Sequence, residues 1–429
     1  MPQQDDAVHF GLVSFDQHGA LRDDQDLLAR LDERLRYDEP GITDVFVFSH
    51  GWLNDQAAAT TTYQDWVRAM AEYHRTRRAD IQRLRPGFRA LLIGIHWPSA
   101  PWEDPVGVSS LEQQVTFYTD LIGDPSAADE LTPLLAEARR APDADTLSGV
   151  DEARLHRLDD MAGLRNDQVG AMPGNDRENF DAGRIFADFR RKSASLGHSI
   201  GGGPLRPLLS PLWVTSFWKM KKRAVHVGST GVHRLLRALQ AAGEGRGIRL
   251  HLIGHSFGCI VLSAALQGNT VRSGPLPKPV HSLVLLQGAL SIWSFAPAIP
   301  DTHRSGYFHP VIAEKMVAGP VVTTQSAHDR ALRWFFRAAA TVSGDARLGP
   351  RSLPRYGAVG RYGLGGLADR TVETAAQPGQ LLYEFSPASC YNVDSSSVIV
   401  RHGLSLQGAH SNLVRPELAG LVWGAVLSG

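Results

Sequence analysis

The residues best suited to chemistry are the serines of two Gly-x-Ser-x-Gly pentapeptides, Gly197-His198-Ser199-Ile200-Gly201 and Gly254-His255-Ser256-Phe257-Gly258. Such a pentapeptide yields a nucleophile only as a tight turn from a strand into a helix. There the serine takes a strained backbone conformation that exposes its hydroxyl, and the glycines leave room for the turn. Ser199 follows Arg190-Arg-Lys-Ser-Ala-Ser-Leu196, which has no strand character, and precedes Gly201-Gly-Gly-Pro204, which starts a helix poorly. Ser256 follows the apolar run Ile248-Arg-Leu-His-Leu-Ile253 and precedes Cys259-Ile-Val-Leu-Ser-Ala-Ala-Leu266, whose composition is that of a buried helix. Context therefore selects Ser256. Its attack on an acyl carbon would place negative charge on an oxygen, and two backbone N–H groups are needed to hold that charge. One is expected from Phe257, the residue after the serine. The other is expected from a loop after an earlier strand, and Asp44-Val-Phe-Val-Phe-Ser-His50-Gly51-Trp52 has that layout. The Trp52 amide is the candidate donor, with Gly51 permitting the turn.

Positioning these groups requires a rigid scaffold, and its elements are visible as short apolar runs. Val8–Phe15, Asp44–Ser49, Ala90–Trp97, Ile248–Gly254, Ser282–Leu286, Pro320–Thr324 and Gln380–Phe385 are predicted strands. Most are continuous rather than alternating, as strands buried on both faces of a parallel sheet should be. Helical spacing fills the intervals at Tyr63–Arg77, Trp218–Ala241, Gly258–Leu266, Arg330–Ala340 and Pro416–Leu427. The alternation predicts an α/β fold, a mostly parallel central sheet with helices on both faces. One long stretch interrupts it. From residue 98 to residue 216 the sequence predicts no strand, only polar helices such as Ala127–Ala141 and Val150–Leu164 and a loop over Gly170–Gly183. The reading is a core in two parts, 1–97 and 217–429, with an inserted helical cap at 98–216. A second insertion at 344–379, rich in Gly and Arg and containing Arg355-Tyr-Gly-Ala-Val-Gly-Arg-Tyr-Gly363, reads as a surface loop. The strongly apolar stretch Leu205–Trp218 admits three roles: lining an acyl pocket, touching a lipid surface, or connecting cap and sheet as a buried segment.

Composition narrows the classes. Lys plus Arg and Asp plus Glu number 44 each, so nothing favours nucleic acid or an acidic membrane surface as partner. Two cysteines, Cys259 and Cys390, are too few for a disulfide framework. The 17 histidines include no His-Glu-x-x-His and no pairing with cysteine at zinc spacing, and no phosphate-binding Gly-x-x-x-x-Gly-Lys occurs. Neither a metal nor a cofactor is expected. The N-terminus lacks the basic and apolar regions of a secretory signal, and no run approaches a membrane span, so a cytoplasmic location is expected.

Taken in order, His50-Gly51-Trp52, Trp97-Pro98-Ser99 and Gly254–Gly258 resemble the α/β-hydrolase superfamily. The set is similar in particular to bacterial esterase- or lipase-like serine hydrolases with His-Gly-aromatic and Trp-Pro-Ser motifs. The resemblance covers strands from both ends of the chain but not the two insertions. It implies a triad in chain order Ser, then Asp or Glu, then His. The implied acid is Asp329, in the exit loop Gln325-Ser-Ala-His328-Asp329 of the strand ending at Thr324, with Asp394 and Asp301 in reserve. The implied base is His410, between the last strand and the helix that begins at Pro416, with His402 its competitor. His255 is expected to pack beside the turn. The activity implied is hydrolysis of a small acyl ester through an acyl-enzyme. The alternatives are acyl transfer or amide or thioester cleavage with the same triad, or a binding protein that keeps the fold without turnover. Epoxide hydrolases and dehalogenases of this fold carry Asp at the elbow, where this chain has Ser256.

Overall fold

A computed structural model describes the chain except for residues 1–8, 23–24, 100–109, 165–171, 178–179, 197–198, 201–202, 205–206, 270–273, 301, 339–346, 349–351, 368–369, 401–407 and 429. Eight strands form its central sheet. In chain order they are β1 (His9–Ser14), β2 (Asp44–Ser49), β3 (Ala90–His96), β4 (Arg249–His255), β5 (Ser282–Leu286), β6 (Val321–Gln325), β7 (Thr371–Ala375) and β8 (Cys390–Asp394). They lie side by side as β1-β3-β2-β4-β5-β6-β8-β7, and every neighbouring pair is parallel. The predicted α/β class and mostly parallel sheet are thus present. Parallel strands need crossovers, and the helices that supply them cover both faces.

The continuous apolar runs have the expected cause: alternate residues of one strand enter two different cores. Val45 and Val47 of β2 pack on one face, Phe46 and Phe48 on the other. Leu283 and Leu285 of β5 likewise oppose Val284 and Leu286. The second core is closed by the helices Gln56–Thr76 and Pro416–Leu427, where Tyr73 stacks on Trp423 at 5.7 Å. The first core is closed by Gln25–Tyr37, Gly258–Gln267 and a long helix running through Ser210–Val227, a π-helical turn at Gly228–Val232, and His233–Ala242.

Among the described residues, four α-helices lie wholly within the inserted region: Leu111–Ile122, Ala127–Arg140, Gly149–Met161 and Ala182–Leu196. Their buried residues, among them Tyr118, Leu131, Leu155, Ile185 and Phe189, join the first core rather than making a separate one. The helix Ser210–Val227 spans the boundary drawn at 216. It buries Leu212, Val214, Phe217 and Trp218, preceded by buried Leu208 and Leu209. Of the described leucines and tryptophans of Leu205–Trp218, Leu208, Leu209, Leu212 and Trp218 are turned to the interior rather than towards a lipid surface, and Trp213 is half-buried. Leu205 itself lies outside the described residues. No helix among the described residues is long and apolar enough to cross a membrane.

Two further expectations change. Gln380–Phe385 is not a strand. It runs along the C-terminal helix, where the Leu381 carbonyl accepts the Tyr73 hydroxyl at 3.0 Å and the Phe385 amide donates to Ser428 Oγ at 3.1 Å. The sheet edge is instead filled by β8 and β7, which local pattern hides. β8 reads Cys-Tyr-Asn-Val-Asp, with two residues typical of turns, and β7 is an exposed edge strand. The 344–379 insertion is also no simple surface loop. It supplies β7, and Tyr356–Gly360 is buried against the loops that leave β5 and β6. Asn392 of β8 ties it down, accepting from the Leu364 amide at 2.8 Å and donating to the Leu364 carbonyl at 3.1 Å.

Candidate active site

At the C-terminal edge of the sheet, three loops converge. β4 ends at His255, and Ser256 follows with φ of 55°, in the left-handed region that residues with a Cβ rarely occupy. The helix Gly258–Gln267 starts two residues later. Neighbours hold the strain in place: the Ser256 amide donates to the Leu286 carbonyl at 3.0 Å, and the Ser256 carbonyl accepts the Ala289 amide at 3.1 Å. Glycine is required where other backbones pass. A Cβ on Gly258 would lie 2.0 Å from the Ser49 carbonyl oxygen, and one on Gly51 would lie 2.8 Å from the Ser256 Cβ.

The other two loops bring His410 and Asp329, the sequence candidates for base and acid. His410 Nδ1 donates to Asp329 Oδ2 at 2.7 Å, and its Nε2 lies 2.8 Å from Ser256 Oγ. Since a carboxylate only accepts, Nδ1 carries the proton and Nε2 is left to accept from the serine hydroxyl. Asp329 is fully buried. Its Oδ1 accepts from the Leu332 amide at 3.0 Å, so it also caps the helix Arg330–Ala338, and its Oδ2 accepts from Gln287 Nε2 at 3.0 Å. The capping role and the role beside histidine are therefore both filled by one carboxylate. His255 does pack beside the turn: its Nε2 donates to the His410 carbonyl at 3.1 Å, and burial pushes its pKa down to about 3. It is a neutral strut for the histidine loop.

The remaining sequence candidates lie elsewhere. Asp394 accepts from the Ser396 amide and hydroxyl at 2.9 and 2.5 Å, on the exposed end of β8. Ser199 sits in a two-residue strand paired antiparallel with Gly203–Pro204, not in a strand-to-helix turn. Asp301 and His402 lie outside the described residues.

The His50-Gly51-Trp52 loop is clasped by the Trp97-Pro98-Ser99 segment after β3. Trp97 Nε1 donates to the His50 carbonyl at 3.1 Å, and the two rings stack at 5.7 Å. His50 Nδ1 donates to the Gly51 carbonyl at 2.8 Å, and Nε2 accepts the Trp97 amide at 3.3 Å. Burial lowers the His50 pKa to about 3, so the ring stays neutral and keeps both roles. Ser99 Oγ accepts from the Asn54 amide at 3.1 Å and donates to the Asn54 carbonyl at 3.0 Å, while the Ser99 carbonyl takes the Leu53 amide at 3.2 Å. With the His50, Leu53 and Asn54 amides engaged, the Gly51 and Trp52 amides, the second of them the sequence candidate, are the donors this loop leaves available among the described residues. The Phe257 amide lies at the N-terminus of the helix Gly258–Gln267, where the helix dipole favours negative charge.

A cleft of about 110 Å³, partly open to solvent, reaches Ser256 and His410. Its wall is aromatic: Trp52, Phe217 of the cap-side helix and Phe335 line it, with Phe257 behind. Phe217 and Phe335 stack at 4.4 Å, and Trp52 meets them edge-on at 5.5 and 5.2 Å. Among the described residues, the polar lining beyond the serine and histidines is Asn54 and Ser411, with no Asp, Glu, Lys or Arg. Sequence reasoning did not reach Gln287, Phe335 or Tyr63, whose hydroxyl accepts the His50 amide at 2.8 Å and donates to the Ile95 carbonyl at 2.6 Å. None of the three belongs to a motif that could have marked it. Comparison of the chain with known protein families, with curated proteins and with solved structures finds no match.

Proposed function

We propose that the chain is a serine hydrolase of α/β-hydrolase architecture that cleaves small carboxylic esters through an acyl-enzyme. The observation that carries this reading is the unbroken hydrogen-bond chain from Asp329 through His410 to Ser256, with the serine in a left-handed backbone conformation at a strand-to-helix turn. His410 Nε2 takes the serine proton as Oγ attacks the acyl carbon, and the Asp329 carboxylate stabilises the imidazolium that forms. The amides of Trp52 and Phe257 receive the oxyanion. The protonated His410 then gives its proton to the leaving alkoxide. Water, deprotonated in turn by His410, releases the carboxylic acid and restores Ser256. The uncharged aromatic cleft suits a neutral acyl group, because a charged one would lose hydration there without a partner.

A fluorophosphonate probe followed by peptide mapping tests this directly. Labelling is expected on Ser256 of the folded protein and should disappear in His410→Ala while surviving in His402→Ala. Labelling on Ser199, or a folded protein that stays unlabelled, sinks the assignment.

A further inference from the structure

One turn grips both ends of this arrangement. Residues 286–289, at the end of β5, hold the nucleophile by its backbone, through the Leu286 carbonyl and the Ala289 amide. The same turn sends the Gln287 side chain to the acid, with Nε2 at 3.0 Å from Asp329 Oδ2, the oxygen that also faces His410. Gln287 is fully buried and has φ of 46°, so its own backbone is held in an unfavourable region. Two contacts keep it there. Thr324 Oγ1, at the end of β6, accepts the Gln287 amide at 3.0 Å and donates to Gln287 Oε1 at 3.3 Å. On the other side Gly360 of the Gly/Arg-rich insertion lies so close that a Cβ there would fall 2.5 Å from the Gln287 carbonyl carbon.

We infer that Gln287 is a positioning residue for the acid: its amide fixes the Asp329 carboxylate so that Oδ2 meets His410 Nδ1, and its turn sets that carboxylate relative to Ser256. The inference rests on the serine-hydrolase reading and adds a member to its machinery. Without the amide donor, the buried carboxylate keeps one donor on each oxygen, the Leu332 amide and His410, and loses the third hydrogen bond that narrows its rotation about Cβ–Cγ. A hydrogen bond to a buried charge is strong enough to hold that rotation.

Three proteins decide the matter: the full-length parent, Gln287→Leu and Gln287→Glu, each checked by thermal melting and assayed for rate of fluorophosphonate labelling against pH. In Gln287→Leu labelling is expected to slow roughly 10- to 100-fold at pH 8. In Gln287→Glu the introduced carboxylate faces Asp329 and repels it. When protonated, that carboxyl is again a donor, so the ratio of variant to parent rate should rise as pH falls from 8 to 6. A role in packing alone predicts that any change of this ratio follows the loss of folded protein, which melts taken at each pH report. If Gln287→Leu does not fold, the nearly isosteric Gln287→Glu carries the test by itself. A folded Gln287→Leu that labels at the parental rate overturns the inference, as does a pH-independent ratio in Gln287→Glu. An unlabelled parent would instead reject the serine-hydrolase reading on which the inference stands.

Discussion

Gly51→Ala is the sharpest probe of the oxyanion loop. An added Cβ would sit 2.8 Å from the Ser256 Cβ, 3.3 Å from its Oγ and 3.4 Å from His255 Nδ1. The first distance falls short of ordinary carbon–carbon contact by about 0.7 Å or more. Neither partner yields easily. Ser256 is pinned by two backbone hydrogen bonds, and the His50–Trp52 loop by its clasp to Trp97 and Ser99. The loop must therefore back away by roughly that amount, carrying the Trp52 amide with it. A displacement on this scale costs about 100-fold in rate when it misplaces a group that contacts the transition state, and loss of one oxyanion donor costs about 100- to 1,000-fold. The expectation is an ester turnover number reduced about 100-fold with a cooperative melting transition retained. Stopped-flow hydrolysis of p-nitrophenyl acetate, run beside circular dichroism melting, measures both. Parental turnover in the folded variant would falsify the placement of Gly51 and Trp52 against the nucleophile.

Two other expectations follow from the same geometry. Phe335→Ala removes the ring that stacks on Phe217 and closes against Trp52. It should destabilise the fold by about 3–5 kcal/mol while shifting preference from acetate towards octanoate esters, and an unchanged chain-length profile of kcat/KM would show that these rings do not bound the acyl site. Acid should unfold the protein through two neutral histidines, the buried His50 and the half-buried His255. His50 and His255 hold pKa values near 3 against an ordinary 6.5, both because burial disfavours the charged ring. The unfolded chain binds those protons and the folded one does not, so their stabilisation is complete above pH 6.5 and is lost as pH falls towards 3. At pH 5 each removes about 2 kcal/mol, which urea melts at pH 7 and pH 5 would detect; equal midpoints would refute it.

Local pattern carried much of this protein. Ser256 could be preferred to Ser199 because only one pentapeptide stands between an apolar strand and a helix, and those requirements are met within the 19 residues from Ile248 to Leu266. The continuous apolar runs of β2 to β6 announced a parallel sheet buried on both faces, since each strand must feed two cores. The C-terminal helix was legible residue for residue, from Pro416 at its first turn to Leu427. Asp329 and His410 were nameable because a resemblance placed them in chain order, while the hydrogen bonds that join them across 81 residues belong to the folded molecule. What sequence left hidden has one physical character. β8 carries Asn in a buried strand because Asn392 bonds to the insertion, and Tyr356–Gly360 of the insertion is buried because Gly360 lets its backbone pass close against Gln287 in the loop that leaves β5. Gln287 looks like an ordinary loop glutamine until Thr324, Gly360 and Asp329 surround it. Neighbours in the chain determined which serine could sit at a strand-to-helix turn; contacts between distant segments decided which polar side chains hold Ser256 and Asp329 in place.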